Sequence, residues 1–284
     1  MEKHKHIHTF VGFDSEYDDA KMVVFGAPFD GTTSFRPGTR FAPSVMRNES
    51  YGLEMYSPYH DQDLKDTKIC DVGDLIFPIG NTAKTMDVIK EFTKSVVEDG
   101  KIPVMIGGEH LVTYPAVEAV YEKYNDLHVI HFDAHTDLRE TFFEERLSHA
   151  TVLKRIWDFV GDGKIYQFGI RSGDREEFEW AKVHTHLTKF TCDGLDEAIE
   201  AIGDKPVYVT IDIDVLDPSV MPGTGTPEPG GITFKEIIDV LLKLKKLNIV
   251  GADLVELSPH YDPTGASNAV ACKILRELAF TVHK

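Results

Sequence analysis

Six short runs of β-branched and apolar residues punctuate the chain, at 22–25, 102–106, 127–132, 164–168, 207–213 and 249–254. Between them the apolar residues recur with helical period, over 82–98, 112–124, 150–159, 196–202, 233–244 and 267–280. Strands that read as continuous apolar runs are buried on both faces, and their alternation with helices is the pattern of a parallel sheet covered by helices. The pattern predicts an α/β fold. No repeat, low-complexity tract or Gly/Ser linker divides it, so residues 1–284 read as one domain with 1–20 as an N-terminal extension. Two stretches break the alternation. Residues 29–73 are rich in Pro, Gly, Tyr and charge, and 217–231 hold four prolines and four glycines. Long irregular stretches inside a compact domain are usually functional loops.

Composition narrows the function classes. The apolar share of 42% leaves enough side chain for a sizeable core. A formal net charge of −17 excludes sequence-independent binding to nucleic acid or anionic lipid, which needs a basic surface, and favours cationic small molecules. No apolar run approaches the roughly 20 residues that span a bilayer, and the polar, His-rich start of the chain does not resemble a signal peptide, so a cytoplasmic protein is expected. Cys70, Cys192 and Cys272 are too few and too scattered for a disulfide framework or a zinc cluster. His4, His6 and His8 are read as a solvated terminus.

The ends of the runs carry the chemistry. His131-Phe132-Asp133-Ala134-His135-Thr136-Asp137 closes the run at 127–132, and where the backbone is still extended Asp133, His135 and Asp137 would share one side. Asp212-Ile213-Asp214 closes 207–213, with its two aspartates again on one side, and Gly107-Gly108-Glu109-His110 follows 102–106, where the glycines let the backbone turn. The carboxyl edge of a parallel sheet is where α/β folds place their sites. Four carboxylates cannot be packed together without protons or cations to compensate them. An oxygen-rich set with two imidazoles and no thiolate suits a hard divalent ion such as manganese better than structural zinc. Six candidate ligands, His110, Asp133, His135, Asp137, Asp212 and Asp214, exceed one ion's needs and suit two ions about 3.5–4 Å apart that share bridging aspartates.

These three motifs, with Pro28 to Gly31, Arg36-Pro37-Gly38-Thr39-Arg40, Asp217-Pro218, Pro222-Gly223 and Glu256-Leu257-Ser258-Pro259, resemble those of the ureohydrolases, the family of arginases and agmatinases, over nearly the whole chain. The resemblance implies a three-layer αβα sandwich around a mainly parallel sheet of eight strands. It also implies a homo-oligomer, trimer or hexamer. It assigns His110, Asp133, Asp137 and Asp212 to one manganese and Asp133, His135, Asp212 and Asp214 to the other, with Asp133 and Asp212 as bridges. The reaction implied is manganese-dependent hydrolysis of a guanidino group by a metal-bridging hydroxide, releasing urea.

Further residues fit that chemistry. Asp137 could take the proton of the attacking water. His149, in Leu147-Ser148-His149-Ala150, matches the family's proton-shuttling histidine, and the other reading is a cap on the helix starting near Ala150. Glu256 ends 249–255 and matches the glutamate that accepts two N–H bonds from the planar guanidinium; otherwise it is a salt-bridged strand end. Asp253, in the same strand, is read as structural. The loop 138–149, with Glu140, Glu144 and Glu145 and two phenylalanines, suits the cationic tail of agmatine, and 50–58 is closer to bacterial agmatinases than to arginases. Arg139 and Arg146 could instead receive the carboxylate of 4-guanidinobutanoate; aminopropylagmatine and arginine are the other candidate substrates. Arg36 and Arg40 could bind anions or make subunit contacts. A catalytically silent metal-binding scaffold would be suggested by a missing ligand, and none is missing.

Overall fold

Within residues 206–212 the odd-numbered Val207, Val209 and Ile211 enter one buried apolar cluster while Tyr208 enters another. A strand apolar on both faces needs cover on both, and the computed structural model, which describes residues 8–283, supplies it. In chain order the elements are β1 (Met22–Ala27), α1 (Ala42–Ser50), β2 (Tyr56–Ser57), β3 (Gln62–Asp63), β4 (Ile69–Asp74), α2 (Thr82–Glu98), β5 (Ile102–Gly107), α3 (Thr113–Lys123), β6 (His128–Phe132), α4 (Val152–Val160), β7 (Ile165–Ile170), α5 (Arg175–His184), β8 (His186–Lys189), α6 (Leu195–Ile202), β9 (Pro206–Asp212), α7 (Phe234–Leu244), β10 (Asn248–Val255) and α8 (Ala266–Val282). Strands β2 and β3 form a small antiparallel hairpin. The other eight make one sheet in the order β4-β1-β5-β10-β9-β6-β7-β8, with every neighbouring pair parallel. Helices α1, α6, α7 and α8 cover one face and α2 to α5 the other, which is the expected three-layer αβα sandwich.

The six expected strands and six expected helices are present with ends shifted by at most about two residues. Six elements were not anticipated, and each lacks the signal used to find the rest: the hairpin strands β2 and β3 are only two residues each, and the other four are β4, β8, α5 and α1. Strands β4 and β8 are the sheet edges, and β8 is half exposed. Helix α5 buries only Glu177 and Ala181. Helix α1 lies inside the irregular stretch 29–73, where a buried ion pair holds it instead of a long apolar stripe: Arg47 Nε and Nη2 lie 2.8 and 2.9 Å from the two oxygens of Asp71. Among residues 8–20, Phe10 and Phe13 stack at 4.6 Å and are fully buried in the core. His8 is exposed beside Asn48, while His4 and His6 lie outside the described residues. The three cysteines are free. Among the described residues no helix is long and apolar enough to cross a membrane.

Candidate metal centre and its cleft

Strands β5, β10, β9 and β6 are adjacent and parallel, so their carboxyl ends open at one edge. Each sends a chain segment over that edge, but the segments turn rather than continue. Strand β6 stops at Phe132, and by Asp137 the backbone is left-handed, with φ 52°. The expected alternation of Asp133, His135 and Asp137 on one extended strand therefore does not hold. A folded loop brings them together instead, pinned by Ala134 O, which accepts from Arg171 and Ser172 N–H at 2.7 and 2.8 Å. Likewise Asp212 and Asp214 do not share a strand face. Residues Ile213–Val215 form a single 3₁₀ turn, and Asp214 N–H donates to Asp212 Oδ1 at 2.9 Å. At Gly108 close approach, not a positive φ, excludes a side chain, because a Cβ would lie 1.9 Å from Phe29 O.

All six candidate ligands meet. His110 Nδ1 lies 3.1 Å from Asp133 Oδ2, 3.1 Å from Asp137 Oδ2 and 3.4 Å from Asp212 Oδ2. His135 Nδ1 lies 3.4 Å from Asp133 Oδ1 and 3.1 Å from Asp214 Oδ2. Asp133 thus faces both imidazoles, one per oxygen. Except for His135 these groups are buried, and they cannot all be charged as they stand. Burial, with Asp214 and Asp133 beside it, pushes Asp212 well above the usual carboxylate range, and burial likewise raises Asp214. At Asp133 burial works the same way but the three neighbouring histidines outweigh it and hold the group well below that range. His110 and His135 are raised well above the ordinary imidazole value, their carboxylate neighbours overcoming burial.

A proton does not satisfy this arrangement. His110 Nδ1 is buried and makes no aligned hydrogen bond, although three carboxylate oxygens lie within 3.4 Å, while Nε2 meets Thr210 Oγ1 at 3.0 Å. With its proton displaced, Nδ1 would present to a divalent cation a lone pair aimed between carboxylates, and the donor set of imidazole nitrogen and carboxylate oxygen fits manganese.

A cleft of about 270 Å³ opens above the cluster, lined among others by His135, Asp137, Asp212, His149 and Glu256. Glu256 has φ 66°, a strained backbone of the kind held at functional sites. Its N–H donates to Gly108 O and its Oε1 accepts from His110 N–H at 2.8 Å. Burial pushes its carboxyl up to about 8. His149 Nδ1 lies 3.0 Å from Thr32 O, a pure acceptor, so Nδ1 carries the proton and Nε2 faces the cleft. Burial disfavours the charged ring, yet Glu109 and Glu256 outweigh it and His149 is raised above its ordinary value. The capping of the turn before α4 falls to Ser148 and Thr151, which leaves the His149 imidazole free of that role.

The loop glutamates lie elsewhere. Glu140 pairs with Arg155 at 3.1 Å, and Glu144 and Glu145 line a separate surface depression with Arg146 and Asp158. Of the loop, Arg139 and Phe142 line the cleft, and Phe143 points to solvent. Arg139 stacks 4.7 Å over Phe142 and pairs with Asp174 at 3.1 Å and Glu177 at 3.3 Å. Arg146 pairs at the surface with Asp158, Arg40 with Asp30, and Arg36 stacks on Phe35 and Tyr261. Glu177, Asp174 and Arg171 were not singled out from sequence. Glu177, on the polar helix α5, accepts from Thr136 Oγ1 at 2.6 Å and Leu138 N–H at 3.0 Å, holding the loop that carries Asp137. Arg171 clamps five carbonyls, among them Asp214 O at 2.6 Å and Glu228 O at 2.8 Å, and so ties the proline–glycine loop to the cluster.

Comparison with known proteins adds context to this geometry. The arginase family's sequence profile matches residues 20–281. Agmatinase of Bacillus subtilis (strain 168) is 47% identical over 274 residues, covering 95% of this chain and 94% of its own. A crystal structure of a Clostridium difficile protein superposes with a TM-score of 0.93 at 55% identity, covering 94% of this chain and 99% of that one. Proclavaminate amidino hydrolase from Streptomyces clavuligerus superposes with a TM-score of 0.88 at 32% identity, covering 98% and 97%.

Proposed function

This chain belongs to the arginase family, and we propose that it hydrolyses agmatine to putrescine and urea at a pair of manganese ions. The observation that carries the reading is His110 Nδ1, buried and unsatisfied among three carboxylate oxygens. Asp133 and Asp212 would bridge the ions, with His110 and Asp137 completing one set and His135 and Asp214 the other. When bound, the ions supply Lewis acidity that makes a water nucleophilic at neutral pH and neutralises the carboxylates.

The chain's own residues then have definite tasks. Glu256, whose Oε1 is held by His110 N–H, offers Oε2 to the guanidinium and orients its plane. Asp137, at the boundary of cluster and cleft, holds the proton released by the attacking water. His149 passes a proton from Nε2 to the departing amine, because a neutral amine leaves far more readily than an amide anion. Phe142 packs against His149 edge to face at 5.5 Å and offers an apolar wall to the methylene chain. Asp174, with its side chain 59% exposed, lines the cleft and would meet the tail ammonium while shared with Arg139.

Arg139 is the feature that favours a second reading, a guanidino acid such as 4-guanidinobutanoate. Its charge is already matched by Asp174 and Glu177, which supports agmatine instead. The reading makes residues 1–284 one cytoplasmic catalytic unit in a trimer or hexamer. The test is metal analysis with product detection on a panel of guanidino compounds. Two manganese ions per chain and urea with putrescine from agmatine are expected. Preferential release of urea from 4-guanidinobutanoate would select the second reading, and no urea from any compound by the fully loaded protein would remove the assignment.

A further inference from the structure

One residue pair beneath the cluster, the sheet register places Asp253 of β10, Thr210 of β9, His131 of β6 and Gln167 of β7 side by side. All four are fully buried. A polar row across four central parallel strands is costly unless every member is partnered, so what each partner does is informative. Thr210 meets His110 Nε2, and Asp253 accepts from Tyr208 Oη at 2.8 Å. The His131 and Gln167 pair is the more tightly determined.

Gln167 Nε2 lies 2.9 Å from Thr136 O, which can only accept, and Gln167 Oε1 accepts from Thr185 Oγ1 at 3.1 Å. The Thr136 carbonyl thereby fixes the amide orientation, and the Thr185 hydroxyl is compatible with it. The second hydrogen of Nε2 points to His131 Nδ1 at 3.1 Å, so Nδ1 presents its lone pair. The proton is therefore on Nε2, which lies 2.8 Å from Asp133 Oδ2 and donates to it. His131, His110 and Asp133 are grouped closely enough to hold an ion together. In this tautomer His131 has no lone pair on the nitrogen that faces them, so it donates rather than ligates. With His135 N–H on Oδ1, each oxygen of Asp133 is held by one hydrogen bond.

We propose that His131 is a positioning residue which, fixed as its Nε2–H tautomer by Gln167, locks the bridging carboxylate of Asp133 in its metal-binding orientation. This rests on the metal reading above. Loss of such an outer partner typically costs about 10–100-fold in metal affinity. The test is manganese titration of metal-free protein, wild type against His131→Phe, His131→Gln and Gln167→Leu, with ring ¹⁵N resonances recorded on metal-free wild type. His131→Phe, which fills the space without a donor, is expected to weaken binding about 10–100-fold. His131→Gln, whose amide nitrogen reaches toward Asp133, restores affinity to within about threefold, a rescue that a purely space-filling role would not show. The resonances are expected to report a protonated Nε2 and an unprotonated Nδ1. Wild-type affinity in His131→Phe, failure of the Gln rescue, or a proton on Nδ1 would each overturn the proposal. If His131→Phe does not fold, the Gln rescue, the resonances and Gln167→Leu decide it. Gln167→Leu is expected to weaken manganese binding because Nδ1 is no longer held unprotonated, and unchanged affinity there would overturn the proposal. Absence of manganese binding by the wild type would instead overturn the metal reading.

Discussion

At the floor of the cleft Asp133 and Asp214 are fully buried and Asp212 nearly so, and each carboxylate accepts a backbone N–H: Asp133 from His135, Asp214 from Ala134, Asp212 from Asp214. At the rim, the turn joining Phe142 to Glu145 runs through two left-handed residues, Phe143 and Glu144, and leaves Phe143 80% exposed. The charged side chains on either side of it, Arg139, Glu140 and Arg146, make ion pairs at the surface, worth about 0–1 kcal/mol each. The floor is therefore fixed by the strand ends and their turns, where a change of one group disturbs several others. The rim is held by contacts that substitution can rearrange at small cost. In a cleft of this kind the floor sets the reaction and the rim sets which molecule undergoes it.

The largest expected effect comes from a nearly isosteric change at the floor. Asp212→Asn keeps an oxygen to accept from Asp214 N–H but removes a charge facing His110. Turnover should fall by at least about 10³-fold and manganese content should drop, because on the proposed reading a bridging ligand has lost its anion. Urea release and metal analysis on one sample check both. Retention of both ions with normal turnover would erase the distinction between floor and rim.

His149 lies between the two regions and should behave as neither. His149→Ala is expected to lower turnover by about 10²–10⁴-fold with metal content intact, and loss of metal would show that its role is structural. The pH profile sharpens this. A donor works while protonated, so activity should fall as pH rises through the raised pKa of His149. Glu109 is among the charges that raise it, so Glu109→Gln should lower that pKa and start the fall at lower pH. An alkaline limb that stays in place would assign the proton to another group.

The floor was also the legible part. A carboxylate or imidazole at the end of an apolar run is conspicuous, and all six expected ligands do converge. What sequence could not convey was the means, since the loop after Phe132 and the 3₁₀ turn at Ile213–Val215 depend on partners far away in the chain, such as Glu177 and Arg171. Glu177 sits on a helix without an apolar stripe, so neither the helix nor its carboxylate carried a periodic signal. His131 was in view within the motif, two residues before Asp133, but the role proposed for it emerges only when the register brings Gln167 beside it. Helix α1 was hidden because an ion pair to Asp71 anchors it.

The rim is where composition misled. Three glutamates in 138–149 suggested a cationic tail, yet none of them lines the cleft: Glu140 pairs with Arg155, and Glu144 and Glu145 line a separate surface depression. The exposed carboxylate that does line the mouth is Asp174, from the segment before α5, which also pairs with Arg139. Glu144→Gln and Glu145→Gln should therefore leave KM for agmatine within about twofold, since each removes only a solvated charge. Asp174→Asn should raise KM about three- to tenfold with kcat nearly unchanged, the pattern of binding lost equally in ground and transition states. The difference should shrink in high salt, because the contact is at the surface and screened. Steady-state kinetics on the three variants at two ionic strengths measures this. A large KM effect from Glu144 or Glu145 with none from Asp174 would mean that the loop closes over bound substrate, and the rim would then be an active participant instead of a passive edge.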